Sequence, residues 1–166
     1  MASAPLDDFV QVSAILTGIA ATKLAPPVDP QNIKQVYFDY TKTKQATGLS
    51  QLLSIYSANA QKPPASIADI ILNQSGEAIR YLARTIMLEW YLGSWYDPAI
   101  LASYHAANPP SAPPAGTGTV ISPQAYTQGW AWSVAQAHPM GYSNLTFGYW
   151  AGQPPPLSAY VGGAAK

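Results

Sequence analysis

Cysteine is absent from the 166 residues. That excludes disulfides, thiolate catalysis, iron–sulfur ligation and covalent haem attachment within this chain. Charge is scarce: eight Lys+Arg and eight Asp+Glu make 10% of residues and leave no net charge, where about 25% is usual. Without a cluster of Lys or Arg the electrostatic footprint for nucleic acid is missing, and anionic membrane surfaces are excluded as partners on the same ground. Long apolar runs are also lacking. The strongest, from Thr85 to Tyr96, is interrupted by Glu89 and is too short to span a bilayer. The opening Met-Ala-Ser-Ala-Pro has neither a basic region nor an apolar stretch, so no signal peptide is expected there and the chain is read as soluble.

Histidine is nearly absent as well. His105 and His138 have no acidic residues at ligand spacing, whereas a metal site needs three or four converging donors and a hydrolytic triad needs a base held by a carboxylate. No serine lies in a G-x-S-x-G turn. Gly116-Thr-Gly118-Thr begins like a dinucleotide fingerprint, but the third glycine and the preceding strand are missing and the setting is a proline loop. The expectation is a chain with no catalytic residues and no cofactor or metal of its own.

What fills the chain instead is proline, glycine, small polar residues and aromatics. Sixteen prolines are about twice the usual share. The length suits one domain that buries roughly 70% of its unfolded surface, and so weakly charged a surface offers little repulsion against a large permanent interface.

Helical periodicity dominates. In the first segment Leu6, Phe9, Val10, Ser13 and Leu16 share a stripe, with Ser3 as a cap, Pro5 in the first turn and Gly18 as terminator. Asp29-Pro30 is expected to open a second helix as cap and first residue, with Ile33, Val36, Tyr37 and Tyr40 inward. Gly48 to Ala60 repeats the pattern with Leu49, Leu52, Leu53 and Tyr56, and Ser66 is expected to cap a short helix bearing Ile67, Ile70 and Ile71.

The strongest element is GEAIRYLARTIMLEWYLG, Gly76 to Gly93. Its first half is amphipathic, with Arg80 and Arg84 outside, and its second half is apolar nearly all round, as in a helix wrapped by its neighbours. Ser122-Pro123 is expected to start one more helix running to His138 and stopped by Pro139. The fold class is therefore all-α: a compact helical domain around a buried central helix. A single domain is expected over 1–150, with a Pro-rich loop at 109–119, and a Pro/Gly-rich C-terminal arm over 151–166.

Glu89 admits a catalytic reading, as an acid with a raised pKa in an apolar pocket, and a structural one, bonded to an indole or a backbone N–H or paired with a partner chain. The five Trp and eleven Tyr admit core, sugar-stacking and interface readings. Trp90 and Trp95 belong to the core reading. Trp130, Trp132, Tyr149, Trp150, Pro154, Pro155 and Tyr160 are the candidate partner interface, because Trp and Tyr anchor interfaces and an extended proline-rich arm suits another protein's groove. The alternative is a carbohydrate-binding module with Trp130, Trp132 and Trp150 as platforms.

Three stretches together, PLDDFVQVSAILTG at 5–18, TIMLEWYLG at 85–93 and FGYWAGQPPP at 147–156, resemble the small subunit of membrane-bound FAD-dependent sugar and polyol dehydrogenases, the sorbitol, fructose, glucose and gluconate dehydrogenase type. The resemblance implies a periplasmic heterotrimer. Its large flavoprotein carries FAD and an iron–sulfur cluster, and a membrane-anchored multihaem cytochrome c subunit carries haem c. The small subunit would be a non-catalytic escort that stabilises the large subunit during twin-arginine export. Family members carry a twin-arginine signal, which this sequence lacks, and the loop at 109–119 and the tail after Pro156 are longer than the family pattern. On this reading Trp150→Ala is expected to weaken assembly with the flavoprotein while leaving the fold intact, as measured by affinity and circular dichroism.

Overall fold

The computed structural model describes residues 4–108 and 117–139. They form a mostly helical body, in the order α1 (Pro5–Thr17), α2 (Ala21–Leu24), α3 (Ile33–Asn59), α4 (Pro64–Asp69), a π-helical turn (Ile70–Gln74), α5 (Glu77–Leu92), β1 (Ser94–Trp95), α6 (Pro98–Ala107), β2 (Thr119–Val120), α7 (Pro123–Gln128) and α8 (Trp130–Val134). The arm at 151–166 and residues 140–150 lie outside the described residues, as does most of the Pro-rich loop.

Helix α5 is the centre, as its pattern predicts. Gly76 caps it and Gly93 ends it in the left-handed region at φ 63°, donating its N–H to the Glu89 carbonyl. From residue 79 to 98 no residue is exposed. Helices α1, α3 and α6 pack on α5. Trp90 lies at the middle of the core, 1% exposed, with the Tyr37 ring edge-on at 4.8 Å and the Phe9 ring at 6.5 Å. Phe9 meets Phe38 at 5.6 Å, so α1, α3 and α5 are joined through rings. Arg80 and Arg84 are half-buried rather than outside: Arg84 lies 4.8 Å over the Tyr81 ring and Arg80 donates to the Ser75 carbonyl, since long side chains lay their stems along apolar surface.

Several boundaries differ from the sequence reading. The cap of α1 is Ala4, without a side-chain bond. Asp29 does not cap α3: the Asn32 N–H donates to the Asp29 carbonyl at 3.1 Å, making a turn with Pro30 at its second position, where a fixed φ is favoured. The cap is Asn32, in the left-handed region at φ 49°, which Asn tolerates better than most residues. The two helices expected around Tyr37 and Leu52 are both present within α3 and meet end to end at Gln45, whose backbone is non-helical (φ −144°, ψ 50°). Past the bend, Gly48 lies so close to Leu82 that an added Cβ would stand 3.0 Å from that side chain. Ser66 is inside α4, because Pro64 takes the first position.

Helix α6 went unforeseen, yet its start is well marked: Asp97 accepts from the Ala99 and Ile100 N–H groups at 2.9 and 3.3 Å, ahead of Pro98. Its neighbouring strands pair Ser94 with Val120 and Trp95 with Thr119, antiparallel. The helix expected from Ser122 to His138 is broken. Ser122 does cap it, accepting from the Ala125 N–H at 3.0 Å, but Gly129 interrupts it in an extended conformation, pressed against the Tyr91 carbonyl.

Gly93 combines positive φ with a close approach: an added Cβ would overlap the Ala125 carbonyl. Gly93→Ala is expected to destabilise the protein by more than about 2 kcal/mol, from left-handed strain plus displacement of α7. Denaturant unfolding of both proteins checks this, and Gly76→Ala, where an added Cβ meets nothing, serves as the control.

Candidate functional site

Glu89 is fully buried on α5. Thr41 on α3, also 0% exposed, donates its hydroxyl to Glu89 Oε2 at 2.8 Å. Oε1 has no partner among the described residues. Burial pushes the Glu89 carboxyl well above the ordinary glutamate range, and the Thr41 hydrogen bond opposes this only in part. Tyr37, one turn before Thr41, has its phenol pushed up by burial and by the nearby Glu89, and its hydroxyl donates to the Ala125 carbonyl at 3.3 Å. This arrangement favours the neutral form of the carboxyl group inside the core. At 0% exposure it meets no substrate from solution, so the structural reading of Glu89 accounts for what surrounds it. Its hydrogen-bond partner is Thr41, rather than the indole or backbone N–H expected.

The candidate interface residues divide. Tyr149, Trp150, Pro154, Pro155 and Tyr160 lie outside the described residues. Trp132 and Trp130 are half-buried, two residues apart on α8 but in different surroundings. The Trp132 Nε1–H donates to the Tyr126 carbonyl at 2.8 Å and its ring meets Tyr126 edge-on at 5.3 Å. Trp130 packs on the core and lines a cavity of about 200 Å3 with Trp90 and Asp29. They do not form a row of stacking platforms. Trp90 and Trp95 are core residues, 1% and 5% exposed.

Elsewhere, Leu6 of α1 and Phe38, Leu49 and Leu53 of α3 line an apolar groove of about 690 Å3, with Lys42 and Asp8 among its wall residues. His105 packs edge-on against Tyr81 at 6.2 Å. Among the described residues no cluster of His, Asp or Glu could hold a metal, and no helix is long and apolar enough to cross a membrane. The residue that sequence reasoning missed is Thr41, which becomes notable through Glu89, 48 positions away, and spacing alone does not signal that.

The raised Glu89 pKa sets a sign. A carboxyl held neutral in the folded state contributes stability that is fully present below the unfolded value of 4.5 and is lost as pH rises through the higher folded value. The slope is at most about 1.4 kcal/mol per pH unit for one proton. Glu89→Gln keeps the shape without the charge, so its stability relative to the parent is expected to increase with pH from about pH 5 upward, measured as the difference in thermal midpoints across a buffer series.

No protein-family model matches the chain, and neither does any curated protein or solved structure.

Proposed function

We propose that this chain is the non-catalytic small subunit of a periplasmic FAD-dependent sugar or polyol dehydrogenase complex, which binds, stabilises and escorts the large flavoprotein for export. The observation that carries this reading is the open apolar groove between α1 and α3, on a chain with 10% charged residues. A partner's apolar side chain seated between Leu6 and Leu53 would fill this groove, and weak surface charge removes repulsion against a permanent partner. The groove also joins two of the three stretches that carry the family resemblance to one core: Pro5 and Leu6 belong to the first, and Phe38 connects through Phe9 to Trp90 in the second.

The mechanism is stabilisation by mass action. A partner that binds only the folded flavoprotein adds RT ln(1 + [L]/Kd), about 2.7 kcal/mol at a hundredfold excess over Kd. FAD, the iron–sulfur cluster and haem c belong to the partner subunits in this reading, and the cytochrome contact is indirect.

Co-expression of the neighbouring flavoprotein with and without this chain tests the proposal. Soluble, FAD-loaded dehydrogenase that co-purifies with the chain, and is obtained only with it, is the expected result. A fully loaded, active flavoprotein that ignores the chain overturns it. Ala46→Trp, at an exposed position in the groove wall, is expected to weaken the complex about tenfold or more, read by titration of the purified subunits.

A further inference from the structure

The groove between α1 and α3 crosses the junction at Gln45. Phe38 and Lys42 belong to the half of α3 before it, and Leu49 and Leu53 to the half after it. The first turns of α1 join both halves: Phe9 meets Phe38 at 5.6 Å, and the Ser57 hydroxyl donates to Asp8 Oδ2 at 3.4 Å. Leu6 of α1 lines the groove as well. The result is a mainly apolar trough of about 690 Å3. That lies inside the roughly 300–1,000 Å3 of small-molecule sites, which pair an apolar lining with a few placed polar groups.

One charge of the wall lacks an opposite charge. Lys42 is exposed, and its Nζ lies 5.9 Å from the centroid of the Phe38 ring, which places the ammonium at the edge of the apolar lining. Among the described residues the ion pair formed is Lys34 with Asp29, so neither Asp39, three positions earlier, nor Asp8 pairs with Lys42. Asp8 has its own partner in the Ser57 hydroxyl, in the other half of α3. A ligand matched to this lining is amphiphilic, with an apolar chain along the trough and an anionic head at Lys42. A cationic head would share Asp8 with Ser57, whereas an anionic one meets an ammonium with only a ring beside it. Lysine is a compact point charge, and one such charge matches the single charge of a carboxylate rather than the nearly double charge of a phosphate monoester.

We infer that the groove binds a long-chain carboxylate, an unbranched fatty acid with its carboxylate at Lys42 and its chain between Leu6 and Leu53. The site belongs to this chain alone and does not depend on the flavoprotein reading. A groove so filled is closed to a partner's side chain, so the two occupants exclude one another.

The test titrates the full chain with sodium dodecanoate below its micellar concentration, by calorimetry at neutral pH. Saturable binding is expected, with the Leu49 and Leu53 methyl signals shifting in a 13C-correlated NMR spectrum of the parent protein. Each methylene taken from water tightens binding by up to about fourfold, so octanoate, with four fewer, is expected to bind more weakly by about tenfold or more. Dodecyltrimethylammonium carries the same chain and the opposite charge, and is expected to bind more weakly than dodecanoate. Lys42→Glu, at an exposed position, reverses that order, each affinity changing by about two- to fivefold as for exposed ion pairs. Ala46→Trp, also exposed in the groove wall, fills the trough and abolishes binding while circular dichroism shows the parent's helix content. Heat without saturation, equal affinity for octanoate and dodecanoate, or undiminished binding by folded Ala46→Trp overturns the inference. So does one charge preference shared by the parent and Lys42→Glu, or dodecanoate that leaves the Leu53 methyls unmoved. These outcomes leave the flavoprotein reading to the co-expression result.

Discussion

At the end of α5 the Gly93 backbone lies against the Ala125 carbonyl with no space for a side chain, and the same carbonyl accepts from the Tyr37 hydroxyl at 3.3 Å. One backbone oxygen of α7 thus meets both the central helix and α3. Around it the other links follow. The Ile121 N–H donates to the Gly93 carbonyl at 3.1 Å, and Thr85 donates to the Tyr96 carbonyl at 2.7 Å. Tyr91 donates to the Thr17 carbonyl at 2.9 Å. Thr85 and Tyr91 spend side-chain donors of α5 on carbonyls outside it, and Ile121 spends its N–H on the carbonyl that ends the helix. Remove the close approach at Gly93 and α7 moves, and with it the position of Trp130.

The core is held by rings and by one neutralised acid. Trp90, Tyr37, Phe9 and Phe38 give shape, and each ring pair adds about 0.5–1.5 kcal/mol beyond burial. Glu89 costs stability whenever it ionises, because a buried charge with only a hydroxyl to face has little to offset its lost hydration. The 2.8 Å bond to Thr41 ties α3 to α5 at one point, and in a low-dielectric core such a polar contact is stronger than in water.

The sequence shows the elements more plainly than their joints. The stripe of α1 and both glycine ends of α5 are visible because apolar period and glycine punctuation act within a few residues. The two Asp-Pro pairs show where this fails. Asp97-Pro98 is followed by Ala-Ile-Leu-Ala, whose residues continue a helix at once, and Asp97 caps it. Asp29-Pro30 is followed by Gln-Asn, and Asn32 takes the left-handed conformation and the capping position itself. The dipeptide is the same, and the next two residues decide. Trp130 and Trp132 are likewise indistinguishable by type, since their fates depend on Gly129 breaking the helix and on Tyr126 folding back to one of them. The Glu89 environment is half legible: an acid in an apolar helix announces burial, while Thr41, 48 positions away, is fixed only by the packing of α3.

The α1–α3 groove and the cavity beside Trp130 share no lining residue. They are nevertheless parts of one packed unit. Phe38 in the groove wall meets Phe9, Phe9 meets Trp90, and Trp90 lines the cavity. Interiors at crystal-like density transmit displacement rather than absorb it. A shift of Trp90 therefore reaches Phe38 through Phe9, three rings already in contact.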